Sequence, residues 1–385
     1  MSTSEKNALQ YHEPNRHATW LELFFDLIFV VVVSKITHLL GHTHEGHLDE
    51  GVWWKFPLMF LPIWWIWVQH TLWANVYDRD NQPHRAATLL VMLQMIVLST
   101  VLTTDWKEAY PLFNLCYFGL RITIAALYLS CRSSHTDHAG FATRRGVGMM
   151  IAALISLNSF FFPEPWRYLV LYLGIAIDIL LPILQRRESR GPGAHKAHLV
   201  ERMGLLIIIL MGESVISLAS GLGGVSWTGQ TVTAGLTGAV MIGAAWWIYF
   251  DSYHRLEEDH GQPWGGFFLA YPHFFTCLGL SVMANVIYHA IHSDLDLHSY
   301  QMMALAGMLA FYLGKQTPYY VKFPFVRINI WVNSGVTLAL CGAALFLPGK
   351  TAILVGLTVA LLVYVAINFL TVIPKVEARL GSEES

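Results

Sequence analysis

Long apolar stretches separated by short polar segments dominate the pattern of this chain. The hydrocarbon core of a membrane is about 30 Å thick, and about 20 apolar residues of α-helix cross it because each residue adds about 1.5 Å. The candidate stretches cover residues 19–40, 53–76, 85–103, 110–131, 146–162, 166–185, 199–221, 230–251, 265–291, 299–314, 328–347 and 351–373. The pattern therefore predicts an all-α, polytopic transmembrane helix bundle of about twelve helices.

The composition supports a membrane protein. Hydrophobic residues make up 55% of the 385 positions and charged residues 13%, about half the charged fraction of an ordinary soluble domain. The four cysteines have no paired spacing, so neither a disulfide framework nor a thiolate metal site is predicted. We expect no cofactor and no nucleic-acid partner. The first apolar stretch follows a polar arm and is too long for a signal peptide, which indicates a retained first helix.

The distribution of basic residues predicts the orientation in the membrane. Of the 24 Lys and Arg residues, Lys35 and Arg121 fall inside apolar stretches. If the N-terminus is cytoplasmic, the outer loops contain only Lys55, Lys107, Arg167 and Lys350, and all the others lie in inner loops and tails. Because inner loops are enriched in Lys and Arg, we expect both termini in the cytoplasm.

Recurring features indicate an internal duplication of six plus six helices. Glu22 opens the first stretch and Glu201 the seventh, and a tryptophan pair follows each at nearly the same spacing, at Trp64-Trp65 and Trp246-Trp247. An even number of helices in each repeat gives the repeats the same orientation. The predicted division is a cytoplasmic arm at 1–18, repeats at 19–185 and 199–373, a basic linker at 186–198 and a cytoplasmic tail at 374–385.

Charged side chains inside the apolar stretches are candidates for an ion or substrate pathway, because a charge at mid-bilayer costs a few kcal/mol. Glu22 and Asp26 share one face of the first helix, four residues apart. Two carboxylates at this spacing favour a bound proton, a metal ion or an arginine from a neighbouring helix. Solvated acids that cap the start of the helix are the alternative.

Further candidates lie in later helices. Glu213 lies well inside the seventh, between the small residues Gly212 and Ser214, which favours close helix packing around a polar site. A structural glutamate bonded to hydroxyls or to an indole N–H is the alternative. Arg121 and Asp178 are predicted to form a structural ion pair between the fourth and sixth helices, with release during transport as the functional alternative. The remaining pathway candidates are Glu201, Arg202, Asp251 and His273.

A histidine-rich outer loop offers possible metal ligands. His42, His44 and His47 are spaced so that their imidazoles could bind a transition metal together with Glu45. An exposed loop without metal is the alternative.

Several motifs resemble the bacterial low temperature requirement A family. They are WLELFFDLIFVVVVS at Trp20–Ser34, HLVERMGLLIIILMGESV at His198–Val215, WWIYFD at Trp246–Asp251, and Tyr271-Pro272-His273. Lys35 departs from the glutamine of the family pattern. The resemblance implies a bacterial inner-membrane protein linked by name to growth in the cold, and it implies no settled activity. The Phe24-x-Asp26-x-x-Phe29 pattern is also faintly similar to the first helix of a lysosomal potassium channel family.

These observations favour a secondary transporter, coupled to protons or other cations, with acidic residues buried in the bundle. The alternatives are an ion channel with the first and seventh helices lining its pore, and a membrane-embedded enzyme or non-transporting protein. No nucleophile motif or nucleotide-binding loop is present in the sequence, so we expect no enzyme. The expected partners are the lipid bilayer and a small solute or ion of unspecified identity, and the pattern specifies no oligomeric state.

Overall fold

The computed structural model describes residues 17–49, 51–103, 105–131, 139–184, 195–257 and 266–383. Within these ranges the chain is almost entirely helical and forms twelve helices. They are α1 (Trp20–Thr37), α2 (Val52–Tyr77), α3 (Gln82–Ser99), α4 (Trp106–Ser130), α5 (Ala139–Asn158), α6 (Trp166–Leu184), α7 (Lys196–Gly223), α8 (Gly229–Glu257), α9 (Gly266–His292), α10 (Leu297–Lys322), α11 (Arg327–Ala344) and α12 (Lys350–Ile367). The predicted helix bundle and its number of helices are confirmed.

The last helix continues beyond the predicted stretch. A π-helical turn at Asn368–Val372 connects α12 to α13 (Ile373–Glu383) without a break. Most of the predicted linker at 186–198 and of the N-terminal arm at 1–18 lies outside the described residues.

Eight of the helices are long and apolar enough to cross a membrane, namely α1, α4, α6, α7, α8, α9, α11 and the last, which runs through α12 into α13. The others, α2, α3, α5 and α10, span 18 to 26 residues and do not belong to this set. In α2 the tryptophans Trp64, Trp65 and Trp67 are almost completely buried. A helix that is hydrophobic all round is typically enclosed by other helices.

The chain divides into two compact units. The first contains residues up to Ile36 and residues 57–205, and therefore most of α1 and α2, all of α3 to α6 and the start of α7. Small residues allow its helices to approach closely. A Cβ atom on Gly146 would lie 3.0 Å from the Ala125 carbonyl oxygen, and one on Gly174 would lie within 2.5 Å of the Ala152 carbonyl oxygen. Such contacts are typical of helix packing in membranes.

The second unit contains residues 37–56, 206–262 and 268–385. It opens with a short antiparallel hairpin, β1 (Thr43–His44) and β2 (His47–Leu48). The two turn residues, Glu45 and Gly46, both have positive φ angles of 51° and 86°, which is the geometry of a type I′ turn. The rest of α7, all of α8, α9 from Phe268 onward and all of α10 to α13 complete the unit.

Candidate functional site

A buried cluster of charged side chains joins α1 to the start of α7 within the first unit. Arg202 donates from Nε and Nη2 to the two carboxylate oxygens of Asp26, at 3.0 and 2.6 Å. Its Nη1 lies 3.0 Å from Glu22 Oε1. The Asp26 and Arg202 side chains are completely buried and Glu22 is 2% exposed. A paired guanidinium and carboxylate of this kind form strong, directional hydrogen bonds.

Glu22 also caps the start of α1. Its Oε2 accepts hydrogen bonds from Thr19 N and Oγ1 at 2.8 and 3.1 Å, and its own N–H donates to Thr19 Oγ1 at 3.3 Å. This reciprocal arrangement is a capping box. The capping alternative is thus present in the structure, but the acids are buried among protein groups rather than solvated.

His198 also belongs to this group. Its hydrogen-bond partners determine which ring nitrogen carries the proton. The amide of Asn75 is oriented by the His195 backbone, because Asn75 Oδ1 accepts from His195 N at 2.9 Å and Nδ2 donates to His195 O at 3.1 Å. Asn75 Nδ2 also donates to His198 Nδ1 at 2.8 Å. The proton of a neutral imidazole is therefore on Nε2, which lies 3.2 Å from Glu22 Oε2.

We call Glu22, Asp26, His198 and Arg202 the acid–arginine cluster. Trp67 on α2 also contributes, because its indole Nε1 donates to Asp26 Oδ1 at 2.8 Å. Asp26 thus accepts three hydrogen bonds, two of them from Arg202. Among the described residues, two carboxylates and a neutral imidazole surround the guanidinium of Arg202 here.

A second buried cluster contains two guanidinium groups and one carboxylate, whereas the first contains two carboxylates and one guanidinium. Arg121 Nη2 on α4 donates to Asp178 Oδ2 on α6 at 3.2 Å, and Arg145 Nη2 on α5 lies 3.6 Å from Asp178 Oδ1. Gln69 on α2 donates to the same Oδ1 at 3.2 Å. We call these four residues the arginine–aspartate cluster. The ion pair that the sequence predicted between the fourth and sixth helices is present, with a second arginine in addition.

The surroundings of Arg121 favour a structural role for this cluster. Arg121 Nη1 donates to the Ala152 carbonyl and to Ser156 Oγ, at 3.2 and 2.8 Å, and Nη2 donates to the Gly174 carbonyl at 3.3 Å. Close packing at Gly174 encloses these bonds. The guanidinium thus connects α4 to both α5 and α6 by hydrogen bonds to their backbones.

Glu201 and Glu213 have different surroundings from the clusters. Glu201 is adjacent to Arg202 in sequence but points elsewhere, because consecutive helix residues diverge by about 100°. Its side chain is 35% exposed, and Oε2 accepts from the backbone N–H of Ala18 at 3.1 Å. Glu213 in the second unit is half-buried, not fully buried as its position in an apolar stretch indicates. The sequence also predicted that another helix packs closely at Gly212. For the described residues this prediction is wrong, since a Cβ there would meet no described heavy atom within 4 Å.

Asp251 and His273 lie in the second unit. Asp251 is half-buried near the end of α8, and His273 on α9 is buried. His273 Nδ1 lies 2.6 Å from the Leu269 carbonyl and must carry the proton, so that Nε2 accepts from Tyr249 Oη at 2.8 Å. A neutral histidine satisfies both contacts.

The predicted metal ligands do not converge. His42, His44 and His47 are exposed, and the described residues contain no group of three metal-binding side chains that could hold an ion. In the hairpin His44 pairs with His47 across the strands, while His47 Nδ1 lies 3.1 Å from Asp296 Oδ2.

Several residues of these clusters were missed by the sequence analysis. His198 lies four residues before Arg202, so the same helical spacing that paired Glu22 with Asp26 indicates it. Arg145 was assigned to an inner loop by the charge pattern, but α5 begins at Ala139 and the Arg145 side chain is completely buried. Gln69 gives no signal in the sequence, because its role depends on a contact with a helix distant along the chain.

The profile of the bacterial low temperature requirement A protein (LtrA) family matches residues 17–367. The chain belongs to the LtrA family. This LtrA chain is also similar to an uncharacterized protein of Rhizobium meliloti (strain 1021), with 26% identity over 309 residues, which is 74% of this chain and 71% of that protein. The matched region contains both buried clusters and nearly all the helices, and it identifies an LtrA membrane protein with several helices that can cross the bilayer.

Proposed function

We propose that this protein is a secondary transporter that couples the movement of a small solute to a proton or another cation, and that the acid–arginine cluster binds the coupling ion. One observation carries the proposal. Two buried carboxylates on one face of α1 share the guanidinium of Arg202. A site of this kind resembles the paired ionisable groups that relay protons in membrane transporters.

The ratio of carboxylates to guanidinium allows the cluster to gain a proton. A buried charge that loses its partner costs several kcal/mol. When either Glu22 or Asp26 is protonated, Arg202 keeps the other carboxylate as its partner. In the arginine–aspartate cluster, protonation of Asp178 removes the carboxylate from both Arg121 and Arg145. The first cluster can therefore exchange a proton at low cost, whereas the second is suited to holding helices together.

Glu22 is the carboxylate that we assign to the exchange. Asp26 holds Arg202 by two hydrogen bonds and accepts a third from Trp67. Among the described contacts, Glu22 meets Arg202 through Oε1, and Oε2 meets the neutral groups of Thr19 and His198. Neutralising Glu22 therefore disturbs fewer charge-assisted bonds than neutralising Asp26.

Electrical recordings from reconstituted protein test this proposal. Proteoliposomes adsorbed on a solid-supported membrane are exposed to sudden changes in pH, Na⁺ or K⁺, and ion binding within the protein appears as a transient charge displacement. We expect such a transient from the wild-type protein and its loss in Glu22→Gln. Glu108→Gln is the matched control, because Glu108 is an exposed acid in the first turn of α4.

Two results would contradict the transporter proposal. The first is a transient of full size in folded Glu22→Gln protein. The second is a single-channel current in planar bilayers, which is the property of a channel and not of a carrier. The charged side chains between α1 and the start of α7 are buried and paired with one another, which does not favour an open pore there.

We further propose that the protein lies in the bacterial inner membrane with both termini in the cytoplasm. The distribution of Lys and Arg supports this orientation, and it places the acid–arginine cluster near the cytoplasmic ends of α1 and α7.

A further inference from the structure

His289 lies near the end of α9 with acceptor groups at both ring nitrogens. Its side chain is completely buried. Nε2 lies 2.8 Å from the carbonyl oxygen of Leu40, in the turn that follows α1, and Nδ1 lies 2.7 Å from Asp294 Oδ1 in the α9–α10 loop. A carbonyl oxygen can only accept a hydrogen bond, and so can an ionised carboxylate.

Both contacts can be hydrogen bonds only if the pair of His289 and Asp294 holds one proton more than a neutral histidine and an ionised carboxylate. A neutral imidazole has a single N–H and can satisfy only one of the two acceptors. We infer that His289 and Asp294 form a proton-binding site, and that the bound proton docks the β1–β2 hairpin onto the α9–α10 loop. This inference does not depend on the transporter proposal, because it concerns residues of the second unit that are separate from the acid–arginine cluster.

The hairpin reaches the site through the same loop. Thr43 Oγ1 donates to Asp294 Oδ2 at 3.5 Å, and the backbone N–H of Asp296 donates to the Gly46 carbonyl at 2.6 Å. His47 Nδ1 lies 3.1 Å from Asp296 Oδ2. Leu40 lies three residues before β1. The contact with His289 therefore holds the start of this segment, and the contacts with the loop hold its strands.

Other charged groups surround the pair. The charge of His292 on α9 lowers the pKa of the Asp294 carboxyl. Lys350 at the start of α12 donates to the Ser293 carbonyl at 2.8 Å. The ring of Tyr288 lies 5.4 Å from that of His289, edge to face, and Asp296 pairs with His47. Asp294 is thus the carboxylate in contact with His289, and the surrounding cations help to keep it ionised.

The state of Asp294 indicates where the proton resides. Burial alone raises the pKa of the Asp294 carboxyl, but the hydrogen bond from His289 and the charges of His289 and His292 outweigh burial and hold that pKa below its ordinary value. Asp294 therefore remains a carboxylate at neutral and mildly acidic pH, and the proton is on the imidazole. The docking contacts are complete below the pH at which His289 loses its proton, and protonation of Asp294 weakens them only in strong acid.

Loss of the proton from His289 breaks one of the two contacts. One ring nitrogen then presents a lone pair to an acceptor oxygen less than 3 Å away, which is repulsive. The hairpin is therefore expected to undock when His289 loses its proton.

Hydrogen exchange measured by mass spectrometry tests this inference on the full-length protein in lipid nanodiscs. Exchange of the amides at 41–48 is followed from about pH 5 to 8 and corrected for the intrinsic effect of pH. We expect protection of these amides to fall about tenfold as the pH rises, the size expected for one hydrogen bond to a charged group. Unchanged protection across this range would overturn the inference.

Three variants sharpen the test. In Asp294→Asn the new amide can donate to neutral His289, so the hairpin should stay protected at every pH. In His289→Gln it should be poorly protected at every pH. His298→Gln is the control and should behave as the wild type, because His298 is an exposed histidine in the first turn of α10. Wild-type pH dependence in Asp294→Asn, or its loss in His298→Gln, would overturn the inference even if His289→Gln does not fold.

Discussion

The number of carboxylates at each buried guanidinium distinguishes the two charged clusters of the first unit. Arg202 meets two carboxylates, whereas Arg121 and Arg145 meet Asp178 together. All of these side chains are buried, so water cannot replace a partner that is lost. The acid–arginine cluster can therefore bind a proton at low cost, whereas protonation of the arginine–aspartate cluster is costly.

Removing the arginine of the acid–arginine cluster should destabilise the protein strongly. We expect Arg202→Met to lower the free energy of unfolding by about 3–5 kcal/mol, because it leaves two buried carboxylates without their guanidinium. Arg85→Met is the control, since the Arg85–Asp80 pair is 56% and 44% exposed and an exposed ion pair contributes little to stability. Unfolding in detergent monitors both variants, and equal losses would contradict the expectation.

Asp178→Asn should separate stability from ion binding. We expect it to lower the free energy of unfolding by about 3 kcal/mol, because Arg121 and Arg145 lose their shared carboxylate. The folded fraction should nevertheless show the charge displacement of the wild type, in contrast to Glu22→Gln. Solid-supported membrane recordings on protein selected for folding by gel filtration make the comparison, and loss of the transient would assign Asp178 to the ion pathway.

Glycines allow α9 and α10 to pack closely against each other in the second unit. A Cβ atom on Gly279 would lie 2.2 Å from the backbone nitrogen of Phe311, and one on Gly314 would lie 2.4 Å from that of Thr276. Each glycine thus faces the backbone of the other helix. Backbone atoms cannot move aside as a flexible side chain can, so the two helices can approach this closely only where no Cβ is present.

Alanine at either position should therefore force α9 and α10 apart. We expect Gly279→Ala and Gly314→Ala each to lower the free energy of unfolding by about 1–3 kcal/mol or more, the usual cost of overpacking. Gly243→Ala is the control, because a Cβ there meets no described atom within 4 Å, and alanine in an exposed helix position gains about 0.5–1 kcal/mol. Thermal unfolding compares the variants, and a neutral Gly279→Ala would contradict the predicted contact.

For the protein as a whole, the orientation in the membrane is open to direct test. Cysteine is introduced at Lys107 or Arg85 in a variant without the four native cysteines, and intact cells are treated with a membrane-impermeant maleimide. Both positions are exposed. Lys107→Cys should react from outside, and Arg85→Cys only after permeabilisation. The reverse result would place the termini outside.

The sequence by itself determined the helices, their approximate ends and the family. A helix in a membrane forms its hydrogen bonds within its own segment, so length and apolar composition are local signals that can be recognised without knowledge of the rest of the chain. The shared face of Glu22 and Asp26 follows from the same local geometry. The signature at 20–34 contains both acids, and the family match includes it.

The tertiary structure alone decided which charges meet. Arg202 lies far along the chain from Asp26, and no local pattern specifies that pair. Arg145 has the sequence environment of a loop but is buried against Asp178, and Glu213 lies in an apolar stretch but is only half-buried. The double contact of His289 likewise depends on segments that are distant in sequence. Hydrophobic pattern specifies each helix separately, whereas the burial and charge state of a side chain depend on the neighbours that packing brings to it.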